Sequence, residues 1–283
     1  MRVKRRRRAL EAAAAVLLAL PFLLPLLVLL SHSFLSGWEL RQLLAEVGSF
    51  AEERFLPLRI PPVEVSLHQY KALLLERPEI LRTLLNAAGY TILTLTGMLM
   101  VAPPAAFVFA KLRFRGRDAL FLGYVVLLLL PFQVMCVPQT LTMDALGLMD
   151  SPLALILPEV FSPIYVFLLR QFMRSVPDSL LEAAALDGAG LVRIYAAIVL
   201  PVSVPALCVC GMLCAAKCWG MIEQPLLFLK TKALFPLSLY MNEMLSAGQP
   251  EFLSTCVLAV TPVLLVFLLL NDDIMKGIVQ MEL

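Results

Sequence analysis

Charge is scarce in this 283-residue chain. Asp, Glu, Lys and Arg make up 16% of it, and residues 12–31, 83–110, 119–143 and 252–271 contain none of them. With 60% hydrophobic residues and a mean hydropathy of +0.87, the chain falls outside the range of soluble globular domains. An uncharged apolar run of about 20 residues crosses a bilayer as a helix, because lipid leaves the backbone to pair within its own segment. Histidine is nearly absent too, at His32 and His68 only. The cysteines (Cys136, Cys208, Cys210, Cys214, Cys218 and Cys256) therefore have no histidine-rich surroundings that would suggest a metal site. Cys210, Cys214 and Cys218 recur at four-residue steps on one helix face and read as small, soft interface residues, with no disulfide framework implied. The chain also lacks G-x-x-x-x-G-K-[ST], H-E-x-x-H and G-x-S-x-G, so neither ATP chemistry nor intramembrane hydrolysis has a motif here.

Six spans are expected, at about 10–30, 83–110, 119–141, 153–169, 196–219 and 252–270. Six of the first eight residues are basic (Arg2, Lys4, Arg5, Arg6, Arg7, Arg8), which reads as a positive-inside anchor rather than a nucleic-acid patch. The apolar run that follows is long for a signal peptide and ends at Ser31-His32-Ser33-Phe34 without a clear cleavage site. It reads as an uncleaved first helix. With the N-terminus inside, the inner segments hold fourteen Lys/Arg against eight outside, so both termini are expected in the cytoplasm. Between the first two spans lies a polar segment, 31–82, with the breaker Ile60-Pro61-Pro62 and weak helical patterning near 65–75. Pro103-Pro104 is expected to kink or end the second span unless neighbours satisfy the freed carbonyls. The domain reading is 1–82 for the basic start, first helix and external loop, 83–271 for the membrane core, and 272–283 for a cytoplasmic tail. No internal repeat or low-complexity linker stands out.

The informative stretch is the amphipathic, non-spanning segment 170–195 between the fourth and fifth spans. It reads Glu182-Ala183-Ala184-Ala185-Leu186-Asp187-Gly188, then nine residues, then Ile198-Val199-Leu200-Pro201. The alanines favour helix and allow close backbone approach, and Pro177-Asp178 is a plausible helix start with Glu182 near its positive end. Gly188 can take the left-handed conformation that a bend between two helices needs, and Pro201 starts or kinks the next helix.

This stretch resembles the EAA loop of ABC importer permeases: E-A-A, three residues, G, nine residues, I-x-L-P. Seven fixed positions and both spacings match. Three flanking segments resemble the carbohydrate-uptake branch, similar to the smaller permease of maltose-type importers. Ala106-Phe107-Val108-Phe109-Ala110-Lys111-Leu112-Arg113-Phe114-Arg115-Gly116-Arg117 resembles its "Y-A-L-A-R-x-x-F-x-G-R" segment. Leu130-Pro131-Phe132-Gln133-Val134, with Pro138, resembles "M-x-P-x-Q". Phe167-Leu168-Leu169-Arg170-Gln171-Phe172, with Val176-Pro177, resembles "F-L-R-Q-F-F…I-P". Trp219-Gly220-Met221-Ile222-Glu223-Gln224-Pro225-Leu226 stands where the family has "W-N-E-F-x-W-P-L", departing at Gly220 and Gln224. The tail Asn271-Asp272-Asp273 is more acidic than usual.

The resemblance implies a multi-pass inner-membrane permease that is not itself an enzyme and works by alternating access. It implies a sugar or oligosaccharide as solute. It also implies three kinds of partner: ABC ATPase subunits that bind ATP-Mg²⁺, a second permease subunit, and an extracytoplasmic solute-binding protein. No cofactor is expected in the chain itself, and no nucleic acid. Glu182, Ala183, Ala184, Asp187, Gly188, Ile198, Leu200 and Pro201 would form the ATPase-coupling element, and the 220–250 segment would meet the binding protein. Polar residues within spans are default functional candidates, which selects Asn86, Gln133, Glu159, Lys217, Glu223 and Gln224 for the solute path. Lys217 could instead snorkel from a helix end, and Glu159 could pair with a basic residue of a partner subunit. An ABC permease for another solute, such as a polyamine, would share the docking loop. A secondary transporter would have no ATPase partner and would tolerate Gly188→Asp.

Overall fold

Proline and the uncharged runs set where the helices of this chain begin, bend and stop. The computed structural model describes residues 2–40, 42 and 64–281, and all the regular elements assigned among them are helical. The breaker Ile60-Pro61-Pro62 and the charges Arg41, Glu46, Glu52, Glu53 and Arg54 lie outside the described residues. Two compact units form, one from 1–81 with 241–261 and the other from 82–240 with 262–283.

In the first unit, α1 (Arg2–His32) runs from the basic start through the apolar stretch. It is followed by the short α2 (His68–Lys71), which opens into a π turn, Ala72–Glu76. A buried polar network joins these pieces to the start of the last helix. The Gln69 amide donates to the Leu35 carbonyl at 2.8 Å and accepts from the Ser254 hydroxyl at 2.7 Å. The Tyr70 hydroxyl donates to Ser33 Oγ at 2.8 Å, and Arg77 pairs with Glu251 at 3.2 Å. Buried polar groups are tolerated when paired in this way.

The second unit holds most of the helices. After α3 (Pro78–Lys111) come α4 (Arg117–Leu129), α5 (Phe132–Ala145), α6 (Pro152–Val160) and α7 (Pro163–Ser175). The surface pair is α8 (Asp178–Leu186) and α9 (Leu191–Ile194), which continues through a π turn, Tyr195–Val199, into α10 (Leu200–Val202). Then follow α11 (Val204–Trp219) and α12 (Glu223–Phe228), while α13 (Leu237–Ser246) and α14 (Phe252–Met281) divide between the two units at 240/241 and 261/262, and α14 runs beyond the expected end of the sixth span.

Among the described residues, three helical stretches are long and apolar enough to cross a membrane: Pro78–Lys111, Pro152–Ser175 and Phe252–Leu269. The expected third and fifth spans are each broken. α4 and α5 meet at 107°, because Leu130 precedes Pro131 and is driven out of the helical region to ψ 127°. Leu191–Val202 and α11 meet at 74° around Ser203, next to Pro201 and Pro205, which supply no backbone N–H; the Ser203 hydroxyl bonds the Val199 carbonyl at 2.7 Å. Pro103-Pro104, by contrast, leaves α3 continuous.

One core cluster gathers Met98, Ala102, Ala106 and Phe107 of α3, Tyr165, Leu169 and Met173 of α7, and Cys210, Cys214 and Cys218 of α11. The cysteine stripe thus faces inward among apolar side chains. A second cluster joins Tyr90, Leu155, Ile156, Val160 and Phe228. α3 and α6 touch closely at Gly97, where an added Cβ would sit 2.6 Å from Val160 Cγ2.

Candidate functional site: a docking loop and a polar cavity

α8 starts where Val176-Pro177 ends the preceding helix, and the end of α3 holds its first turn. The Lys111 ammonium donates to Asp178 Oδ1 at 2.7 Å and also to the Val176 and Arg174 carbonyls. The Lys111 side chain is 4% exposed, so one buried cation closes the end of α7 and opens α8. The hydrogen bond from Lys111, and then its charge, hold the Asp178 carboxyl below the usual carboxylate range. Asp178, rather than Glu182, is the first-turn acid, and Glu182 lies exposed in the second turn.

α8 stops at a Schellman turn: the Ala189 N–H bonds the Ala184 carbonyl, the Gly188 N–H bonds the Ala185 carbonyl, and Gly188 has φ +83°. Leu181, Ala184, Ala189 and Tyr195 face the first core cluster. Glu182, Ala183, Ala185 and Asp187 point outward, with Leu186 89% and Val192 81% exposed. Among the motif residues, Ala184 therefore packs inward, Glu182, Ala183, Asp187, Gly188 and Pro201 are exposed, and Ile198 and Leu200 are partly covered. Arg170, counted from sequence among the loop cations, is buried instead. Its Nε donates to the Phe109 carbonyl at 3.2 Å, and its guanidinium lies 3.6 Å from the Phe121 ring centroid.

The second feature is a buried carboxylate. Glu159, 2% exposed in the last turn of α6, accepts from the Tyr165 hydroxyl at 2.5 Å and pairs with the Lys217 ammonium at 2.7 Å. These two solute-path candidates, for which a partner-subunit cation and snorkelling were the alternatives, pair with each other within the chain. Burying a carboxylate without such partners is strongly disfavoured. Both residues line a cavity of about 660 Å³ that Gln139, Tyr165 and Gln224 also reach. A neighbouring cavity of about 490 Å³ shares Phe132, Lys217 and Gln224 and adds Glu223.

Glu159, Lys217, Glu223 and Gln224 are thus brought together, and two other candidates are not. Gln133 is exposed and lies off both cavity walls. The Asn86 amide is occupied, donating to the Ala233 carbonyl at 2.8 Å and the Phe235 carbonyl at 3.1 Å. It anchors the loop after α12, as does Tyr90, whose hydroxyl bonds the Leu234 carbonyl at 2.9 Å.

Sequence reasoning missed the third anchor of that loop. Asp150, at φ +56°, accepts from the Lys230 and Thr231 N–H groups at 2.8 and 2.9 Å and from the Thr231 hydroxyl at 2.6 Å. The Thr231 hydroxyl, then the two backbone N–H groups, hold its carboxyl below the usual range. Its signal in the sequence was the turn string Gly147 to Pro152, in which Gly147, Asp150, Ser151 and Pro152 are turn formers. Lys111 and Gln139 were missed for a different reason: nothing local distinguishes them from loop cations and span residues.

Comparison with known proteins places this architecture. The arabinooligosaccharides transport system permease protein AraQ of Bacillus subtilis (strain 168) is 27% identical over 266 residues, 93% of this chain and 91% of that protein. The sn-glycerol-3-phosphate transport system permease protein UgpE of Yersinia pestis bv. Antiqua (strain Antiqua) is 30% identical over 204 residues, 70% and 73% of the two chains. A chain of a crystal structure of a bacterial ABC transporter involved in the import of the acidic polysaccharide alginate shares the fold. Its TM-score is 0.74 at 22% identity, covering 96% of this chain and 98% of that one. Residues 102–279, which carry both the docking loop and the cavity, match the family model, and the chain belongs to the family of binding-protein-dependent transport system inner membrane components.

Proposed function

We propose that this chain is the permease subunit of an ATP-driven importer for a sugar or oligosaccharide. The observation that carries the reading is the 178–201 loop, in which the fixed motif positions coincide with a braced helix, a glycine stop and an exposed surface that carries the side chains of Leu186 and Val192. Such a face suits docking into a cleft of a separate ATPase, which would bind ATP and Mg²⁺, because an exposed apolar patch on a rigid element gains from burial. A second permease and an extracytoplasmic solute-binding protein complete the assembly. The named solutes of AraQ and of the alginate importer support the carbohydrate assignment.

Six crossings follow if α1, the three long helices and each bent pair count as one span, with both termini in the cytoplasm. Alternating access then rocks spans two to six between inward- and outward-facing states as the ATPases close on α8 and α9. Glu159, Lys217, Glu223 and Gln224 contribute walls of the solute path, and Asp150, Asn86 and Tyr90 hold the loop presented to the binding protein.

Gentle purification of the tagged chain, followed by mass spectrometry of what accompanies it, tests the reading. Recovery of an ATPase and a second permease, lost on replacing Glu182 and Gly188, is the expected result. Recovery of the chain alone under several mild conditions would sink it.

A further inference from the structure

Membership of the family leaves the charge of the solute open, since AraQ is named for arabinooligosaccharides and UgpE for sn-glycerol-3-phosphate. Within the permease reading above, we propose that the two adjoining cavities accept an uncharged, hydroxyl-rich saccharide and disfavour an acidic one. Among the described residues lining them, Lys217 is the one cation, and it stands beside two carboxylates, Glu159 and Glu223. The Lys217 ammonium is already engaged at 2.7 Å by a carboxylate that is 3% exposed. The charge of Lys217 is thereby already neutralised, so an incoming carboxylate would add a second negative charge to the pair rather than complete a new one. It would also meet the negative charge of Glu223 across the smaller cavity.

The other polar groups match a hydroxyl better than an anion. Gln139, Ser162 and Gln224 are neutral polar side chains on the walls of the larger cavity. Amide and hydroxyl groups both donate and accept, as the hydroxyls of a sugar do, whereas a carboxylate only accepts. Phe132 and Phe161 add aromatic surface to the same wall, suited to the C–H face of a sugar ring.

The test is equilibrium binding to the whole complex in lipid nanodiscs at low salt. Radiolabelled arabinotriose and maltotriose are compared with trigalacturonate, a trisaccharide with a carboxylate on every ring. At least one neutral probe is expected to bind about ten-fold or more tightly than trigalacturonate. Glu223→Gln should narrow the gap about three-fold by admitting the acidic probe, because it removes one nearby like charge. Gln139→Leu should weaken the neutral probe about three-fold or more while leaving the acidic one unchanged. Equal or tighter binding of trigalacturonate by the unaltered complex overturns the proposal, as does the absence of measurable binding by both neutral probes. Failure to recover an ATPase and a second permease would instead defeat the permease reading, before any sugar is added.

Discussion

Lys111 and Asp178, 67 residues apart in the chain, meet at 2.7 Å where the end of α3 supports the start of α8. This contact ties the docking helix to the longest helix of the second unit. Replacing Lys111 with Gln or Asp178 with Asn should leave the ATPase bound and reduce solute transported per ATP hydrolysed. Changes along a coupling contact alter it by roughly two- to thirty-fold. Proteoliposome assays that measure hydrolysis and uptake together check this, and a fall in both by the same factor would refute it.

The same pair fixes a pH dependence. Asp178 titrates below the usual carboxylate range in the folded chain, so its contribution is fully present above that range. The contribution is lost as pH falls through the lowered value. Tightness of coupling should therefore be flat from neutral down to the ordinary carboxylate range and fall only in stronger acid. In Asp178→Asn that acid limb should flatten.

Gly188 has open space around it but a left-handed backbone, so only conformation resists substitution. Gly188→Ala should cost about 1–2 kcal/mol, and Gly188→Asn less, because Asn visits this region more readily. Thermal melting of the purified complex, with retention of the ATPase as a second readout, ranks the two. A ranking with Ala milder than Asn would contradict the argument.

At Gly97 the opposite holds: the backbone is ordinary, and Val160 fills the space. Gly97→Ala should destabilise by about 1–3 kcal/mol through overpacking. Val160→Ala should recover part of that loss in the double variant, a non-additivity that a thermal double-mutant cycle detects.

Asp150→Ala removes three accepted hydrogen bonds from the 230–231 backbone and the Thr231 hydroxyl. Faster amide exchange confined to residues 229–236 is expected, with Asp150→Asn intermediate because it keeps an acceptor without the charge. Because the Asp150 carboxyl also titrates low, protection in the unaltered chain should persist above the usual carboxylate range and fade as pH drops through the lowered value.

The helices and the docking loop were legible because their signals are local. An uncharged run, a Pro-Asp start and a Gly seven residues into a fixed pattern each act on their own few neighbours. The bends were less so. Pro131 turns the chain by 107°, whereas Pro103-Pro104 leaves α3 continuous through the middle of the core cluster, among Ala102, Ala105 and Ala106. The pairing of Glu159 with Lys217 was illegible because its partners lie far apart in sequence and meet only when α6 and α11 pack. Asn86 misled for a related reason: a polar residue in an apolar run marks a demand for a partner, and backbone carbonyls satisfied that demand.

The hydrogen bond between Tyr165 and Glu159 crosses the interruption at Phe161-Ser162. Together with the Ser162 N–H bond to the Glu159 carbonyl at 3.1 Å, it splices two short helices end to end. A break that would otherwise flex under load becomes a stiff joint, and 152–175 behaves as a single strut. A displacement imposed at the Ser175 end of that strut, beside Asp178, would pass along it to Pro152, leaving the bent corners at Pro131 and Ser203 as the places to flex.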